Sequence, residues 1–315
     1  MDGAWLEIET EIGLTHEGNC SSTTSISHAK SGMCKKDSRV ESHLNVTKMD
    51  AEGVNNINQD LYNSLCQVED PDPTVVTIGL KGLMKCMEIA GKTTKFRRIW
   101  APIVYKAQMK LLNSTDGEVV ANLGQGLFKT LSLTEKDPNV YRHKETKYDE
   151  TLQRVLFTMQ MDTSGCPARK EWLIHLEKFI QIMGLANLRW LDRINQIMLN
   201  FVAPGQKQEW VLILKVVHAM IEATWMEPTM RSWVQITTKI LSQLQDNAPV
   251  ETEDKAEIYF NIQLCYELMG KCTNFSSIQS DLRFMIRMIE VHGQDQPNQV
   301  HLLAKFDECE LRKFL

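Results

Sequence analysis

A chain of 315 residues, 43% of them hydrophobic and 24% charged, can bury a large core, and its length leaves one domain or two open. A net charge of −5 argues against a surface that neutralises many phosphates, so direct nucleic-acid binding is not expected. No apolar run reaches the roughly 20 residues of a membrane-spanning helix.

Residues 1–55 read as a disordered tail. Asp2, Glu7, Glu9 and Glu11 fall in the first fourteen residues with no basic region, which is not the pattern of a secretory leader. Ser21-Ser22-Thr23-Thr24-Ser25 and Lys35-Lys36-Asp37-Ser38-Arg39 are polar and aperiodic, too poor in apolar surface to offset the entropy of ordering. Trp5, Leu6 and Ile8 are the one docking-like motif in this stretch.

Helical periodicity begins near Ile57, with Leu61, Leu65 and Val68 before the stop Asp70-Pro71-Asp72-Pro73. Thr74 is placed to cap the next helix, whose stripe is Val76, Leu80, Leu83, Met84 and Met87 and whose end is Gly91. Phe96, Ile99, Trp100, Ile103, Val104 and Ala107 follow, with Pro102 near a first turn or at a kink. Val119, Val120, Leu123, Leu127, Phe128 and Leu131 complete a set of N-terminal helical repeats over 56–133. A polar link, 134–146, carries Asp137-Pro138 and is the best internal boundary.

The block 147–315 opens with Tyr148, Leu152, Val155, Leu156 and Met159. Trp172, Leu173, Leu176, Phe179, Ile180 and Met183 then recur at helical spacing, and Gly184 closes them. Leu188, Leu191, Ile194, Met198 and Phe201 form a second stripe, stopped by Pro204-Gly205. Trp210, Val211, Leu214, Val217, His218 and Ile221 form a third, with Pro228 at the next break. Val211-Leu212-Ile213-Leu214 is apolar enough for a strand but sits inside the longer helical period. Trp233, Val234, Thr237, Leu241 and Leu244 come next, then Ile258, Ile262, Cys265, Tyr266 and Met269. Phe275, Ile278, Leu282, Met285, Ile286 and Ile289 make the last clear stripe, and Leu302, Leu303 and Phe306 suit a capping helix. Links this short force successive helices to pack antiparallel. Trp172 to Trp210 is 38 positions and Trp190 to Trp233 is 43, so a two-helix unit returns about every forty residues. The expected fold is all-α, a HEAT-like α-solenoid of antiparallel helix pairs behind a disordered tail.

Reactive chemistry is sparse. Cys20, Cys34, Cys66, Cys86, Cys166, Cys265, Cys272 and Cys309 are scattered without a CxxC pair, several on apolar faces, which fits a reducing compartment, cytosol or nucleus. Asn45-Val46-Thr47, Asn113-Ser114-Thr115 and Asn274-Phe275-Ser276 are glycosylation triplets that such a compartment leaves unused. His16, Cys20, Cys34 and His43 lack zinc-finger spacing, and His175 and His218 each stand alone on a helix as satisfied core or groove residues. Gly124-Gln125-Gly126 lies inside a helical stripe and favours a close helix approach over a phosphate cradle. Asp70 and Asp72 are separated by proline, and Asp149-Glu150 reads as a solvated first turn. No catalytic residue, metal or cofactor is expected.

Lys92, Lys95, Arg97 and Arg98 beside Phe96 and Trp100 admit a grip on phosphate backbone or a solvated helix start, and the acidic total favours the second. Arg189 and Arg193 lie one step round from the stripe through Leu188, Arg283 and Arg287 hold the same register beside Leu282 and Ile286, and Arg231, Gln235 and Lys239 run beside Val234. Aligned on the second helices of a solenoid they make a cationic ridge for an acidic partner, or else ordinary charge on solvated faces. Trp172 and Trp210 sit on the stripes as core. Trp190, Trp225 and Trp233 sit off or beside them as interface anchors or groove packing, Trp190 foremost. The candidate partner-binding residues are therefore Arg189, Trp190, Arg193, Trp225, Arg231, Trp233, Arg283 and Arg287.

Tyr148-Asp149-Glu150, the run from Leu152 to Met161, Arg169 through Gly184, Arg189-Trp190 and Thr224-Trp225-Met226-Glu227-Pro228 together resemble the C-terminal helical region of the Tel-two-interacting protein two family. The resemblance spans residues 145–272 and is one of pattern and order; family members usually carry a longer helical region before this block. It implies a non-enzymatic subunit of the Triple T complex, partnered by large helical-repeat proteins of the Tel-two and Tti-one type. That assembly works with Hsp90 to mature and stabilise phosphatidylinositol-kinase-related kinases. A different HEAT-type adaptor in nuclear transport or vesicle traffic is the alternative. An all-α enzyme is the third hypothesis, marked by a deep cavity lined with two or more carboxylates. No membrane, nucleic-acid or small-molecule partner is expected.

Overall fold

A computed structural model describes residues 51–140, 144–162, 165–203, 207–246 and 252–270, and every regular element among them is helical. The tail through residue 50, the zinc candidates, the stripe 275–289, Arg283 and Arg287 lie outside the described residues.

Helix α1 (Ala51–Val68) starts ahead of the expected onset at Ile57. Once its packed turns form, each added residue gains a backbone hydrogen bond at small cost, and alanine is the best residue for extending it. Helix α2 (Pro73–Ala90) is capped by Asp72, not by Thr74. Thr74 N donates to Asp72 Oδ1 at 2.9 Å, and Pro73 occupies the first turn, where a missing N–H costs nothing. Phe96–Trp100 is a π-helical turn leading into α3 (Ala101–Lys110). Pro102 has no N–H to give the preceding turn, and the Ala101 N–H reaches back to the Phe96 carbonyl, so the chain widens where the sequence suggested a kink. A 3-10 turn, Leu111–Asn113, ends this unit.

Helix α4 (Gly117–Thr134) is capped by Asp116, which accepts from Val119 N at 2.9 Å. Helix α5 (Lys147–Met161) opens with a capping box between Thr146 and Asp149. Helix α6 (Pro167–Met183) stops at Gly184, whose φ of +51° is readily available only to glycine. The stripe expected to run unbroken from Leu188 is split here. Gly184–Trp190 forms 3-10 turns first, and Asn187 Nδ2 donates to the Ile180 and Gly184 carbonyls at 2.9 and 3.0 Å, satisfying groups that the end of α6 leaves open. Helix α7 (Leu191–Phe201) follows, then α8 (Lys207–Thr224), α9 (Glu227–Asp246) and α10 (Thr252–Gly270). Val211–Leu214 lies within α8, where the helical period prevails over the local apolar run.

Contacts skip along the chain. Helix α2 packs on α4, α4 on α6, α6 on α8 and α8 on α10, while α5 packs on α7 and α7 on α9. One cluster of buried side chains runs through all of them from Ile57 to Met269. Trp172 and Trp210 lie in this core, as their stripes indicated.

The Gly124-x-Gly126 pair is explained by two such contacts. A Cβ on Gly124 would overlap the His175 imidazole of α6, and one on Gly126 would sit 2.6 Å from Gln108 Nε2 of α3. Both are helix approaches. The His175 ring is edge-on to Phe128 and Trp172, with centroids 5.9 Å away in each case, and its Nε2 lies 3.1 Å from the Val120 carbonyl oxygen.

Burial pushes the His175 pKa down to about 4, against the hydrogen bond to Val120, and nearby Lys178 adds to the depression. A histidine held neutral in the fold favours folding fully above its unfolded pKa of about 6.5 and loses that contribution as pH falls towards 4. The expected loss across this window is about 3 kcal/mol. Urea unfolding of the wild type and His175→Gln at pH 7 and pH 4.5 measures it: the wild type should fall further than the variant, and parallel falls refute the assignment.

Candidate partner-binding face

The cationic ridge expected on α7 and α9 is largely spent on neighbouring helices. Asp149 was expected in a solvated first turn but is only 3% exposed. It lies on the turn of α5 that meets α7, and its Oδ2 accepts from Thr146 N at 2.9 Å. Its Oδ1 accepts from Trp190 Nε1 at 3.1 Å and pairs with Arg189 Nη1 at 3.1 Å. Charge-assisted bonds to a buried carboxylate leave little energy to gain by turning either side chain towards another protein. Arg193 Nη2 donates to Gln160 Oε1 of α5 at 3.3 Å, Asn195 Nδ2 of α7 donates to Gln235 Oε1 of α9 at 3.3 Å, and Lys239 Nζ reaches the Leu199 carbonyl. Each side chain thus fastens one helix to the next but one.

Trp233 is fully buried, and its place beside Met230, Ile236 and Ile240 makes it core rather than a contact for a partner. The α9 stripe runs through position 233 itself, which is why it faces inward.

Trp225 behaves oppositely. It is 72% exposed at the corner between α8 and α9, with Met226 exposed beside it. Its φ is +47°, a conformation that costs an L-residue roughly 1–2 kcal/mol and is an outlier for a bulky side chain. The corner is held by its neighbours. Thr224 Oγ1 donates to the Met220 carbonyl at 2.7 Å and lies 2.7 Å from Thr229 Oγ1, while Trp225 N donates to the Ile221 carbonyl at 2.9 Å. Trp225 Nε1 donates to the Glu222 carbonyl at 2.6 Å, so the indole stands out in a fixed pose. Arg231 is exposed on the first turns of α9.

At the opposite end of α8 a charged cluster closes the fold. Arg169, 5% exposed, places Nε 2.9 Å from Asp162 Oδ2 and donates from Nη2 to the Asp162 carbonyl at 2.9 Å. Its Nη1 lies 3.4 Å from Glu209 Oε2, and Cζ sits 4.3 Å from the centre of the Phe201 ring. A cleft of about 330 Å³ adjoins it, walled by Asn113, Phe157, Met161, Cys166 and Trp172. Among the described residues Asp162 is the one carboxylate on that wall, and Arg169 occupies it. The Cys166 thiol is pushed up by burial and then by the neighbouring Asp162 charge. Burial likewise holds the Cys86 and Cys265 thiols up at about 12, which suits core packing and not nucleophilic work. Among the described residues no group of three or more His, Cys, Asp and Glu could hold a metal ion, and no helix is long and apolar enough to cross a membrane.

Comparison with protein-family models, with curated proteins and with solved structures gives no match.

Proposed function

We propose that the chain is a non-enzymatic HEAT-like scaffold that captures a second large helical-repeat protein, using the corner at Trp225 as its anchor. The observation that carries the reading is the rigid, strained display of an exposed tryptophan. Strain of this kind persists only where surrounding contacts enforce it, and tryptophan dominates protein–protein hot spots.

The next-but-one contacts support a solenoid. Arg169 at the start of α6 meets Glu209 at the start of α8, which supports these two helices running in the same sense, as alternate helices of a solenoid do. On the resemblance to the Tel-two-interacting protein two family, the captured proteins are the Tel-two and Tti-one type subunits. The role is then maturation of phosphatidylinositol-kinase-related kinases with Hsp90, in the cytosol or nucleus.

Affinity capture with the tagged full chain, read by mass spectrometry, tests both levels. Trp225→Ala should reduce capture of those subunits at least thirtyfold, the equivalent of about 2 kcal/mol, with the melting temperature unchanged. Recovery of transport cargo or coat proteins instead would sink the family reading. Undiminished capture by Trp225→Ala and by Arg231→Ala would sink the corner. Arg189→Ala with Trp190→Ala is the poorer probe, since both hold Asp149 and their loss also weakens the fold.

A further inference from the structure

The sequence between Lys85 and Lys110 carries seven Lys and Arg residues and one acid, Glu88, inside a chain whose net charge is −5. Folding divides these cations into two sets. Arg97, though exposed, folds back along the preceding turn, donating from Nε to the Gly91 carbonyl and from Nη2 to the Lys92 carbonyl at 3.2 Å each, and Lys110 pairs with Glu69 at 2.7 Å. Lys85, Lys92, Lys95, Arg98 and Lys106 are exposed and form no ion pair among the described residues. Lys95, Arg98 and Lys106 fall on one side of the π-turn and α3, a stripe about 17 Å long at 1.5 Å per residue. Of the acids on or next to the helices packed against it, Glu69 pairs with Lys110 and Glu118 of α4 with Lys81.

The opposite charge is found at the other end of the chain. The first 29 residues hold Asp2, Glu7, Glu9, Glu11 and Glu17 and no lysine or arginine. They lead into α1, and α1 packs on α3 as well as on α2. Glu11 stands forty positions before Ala51 (51 − 11), a chain length that sets no obstacle to reach. We propose that the acidic segment 2–11 folds back onto the stripe Lys95–Arg98–Lys106 and covers it. Tethering places the segment at an effective concentration near millimolar, so a contact too weak to hold two separate molecules together suffices within one. The stripe is thereby closed to other polyanions until salt, a modification of the segment or a more acidic partner displaces it. This goes beyond the scaffold reading and does not depend on it.

The test uses full chains and a fluorescein-labelled peptide of residues 1–14 as probe. Wild type is compared with a tail variant, Glu7→Lys with Glu9→Lys and Glu11→Lys, and with that variant carrying Lys95→Glu and Arg98→Glu as well. At low salt the tail variant should bind the peptide at least about tenfold more tightly than wild type, because its stripe is uncovered. Stripe reversal, or about 0.5 M salt, should abolish the gain. Equal binding by wild type and tail variant overturns the proposal, as does binding that survives stripe reversal. A single-stranded oligonucleotide and phosphatidylserine vesicles serve as parallel probes, and tighter binding of either to wild type than to the tail variant, or equally to both, also overturns it. A wild-type dimer by sedimentation that the tail variant dissolves would mean the segment docks on a second copy, which overturns the fold-back. Should the reversed stripe disturb folding by circular dichroism, Lys106→Glu and the salt series decide in its place.

Discussion

Replacing Arg169 by methionine is expected to cost the fold about 3–5 kcal/mol, the range for leaving buried charges without their partner. Methionine keeps the length of the stem, so the loss is mainly electrostatic. What disappears is the guanidinium that joins the end of α5, through Asp162, to the start of α8, through Glu209, with Phe201 of α7 beneath it. An exposed pair with the same distances would contribute about 0–1 kcal/mol, so burial decides the magnitude. Urea unfolding at pH 7 measures it, and a midpoint within error of wild type would show that the cluster is no stronger than a surface pair.

The same variant carries a pH signature. Desolvation already pushes the Glu209 carboxyl up, while the Arg169 charge and hydrogen bond pull it back. Without Arg169 only the upward push remains, apart from the weaker pull of Lys170. A carboxylate with a raised folded-state pKa costs stability above that pKa and is relieved below it. The deficit of Arg169→Met relative to wild type should therefore shrink as pH falls from 7 towards 5. A deficit that stays constant would mean that cavity and packing effects, not stranded charge, account for the loss.

Much of the helical pattern was legible because period is a property of the chain. Stripes such as Leu152–Val155–Met159 or Trp172–Leu176–Ile180 announce a buried face before any partner helix is known, and they lie buried. The polar residues in register with those stripes are legible too. Asp149 is three before Leu152, and Arg169 is three before Trp172, so both had to point inward and both needed partners. Which partners they found depends on neighbours some forty residues away, Trp190 for Asp149 and Glu209 for Arg169, and no local pattern carries that. The same holds for the candidate face. Spacing located Arg189, Arg193 and Lys239 on one side of their helices, yet each is turned to a group on a neighbouring helix. Trp225 stands out in the sequence by its type and its place off the stripes, but its left-handed backbone is imposed by Thr224, Thr229 and the ends of two helices. Composition gives no hint of that.

Gly124→Ala is expected to destabilise the fold by about 3 kcal/mol, although alanine is the better helix former by about 1 kcal/mol. The added methyl overlaps the His175 imidazole, and that ring has nowhere to go. Phe128 and Trp172 flank it edge-on, and its Nε2 is held at the Val120 carbonyl. Gly126→Ala is the control on the same helix, and its cost should stay near 1 kcal/mol or below. Its methyl would meet Gln108 Nε2, the far end of a flexible side chain that makes no hydrogen bond with that atom. A double-mutant cycle separates overlap from any general damage to α4. His175→Ala alone opens a cavity and should cost about 2–4 kcal/mol. In Gly124→Ala with His175→Ala the new methyl grows into that cavity, so the pair should cost less than the two singles summed, by about 1–3 kcal/mol. Additivity within about 0.5 kcal/mol would mean that the glycine is needed for the helix itself and not for the approach of α6.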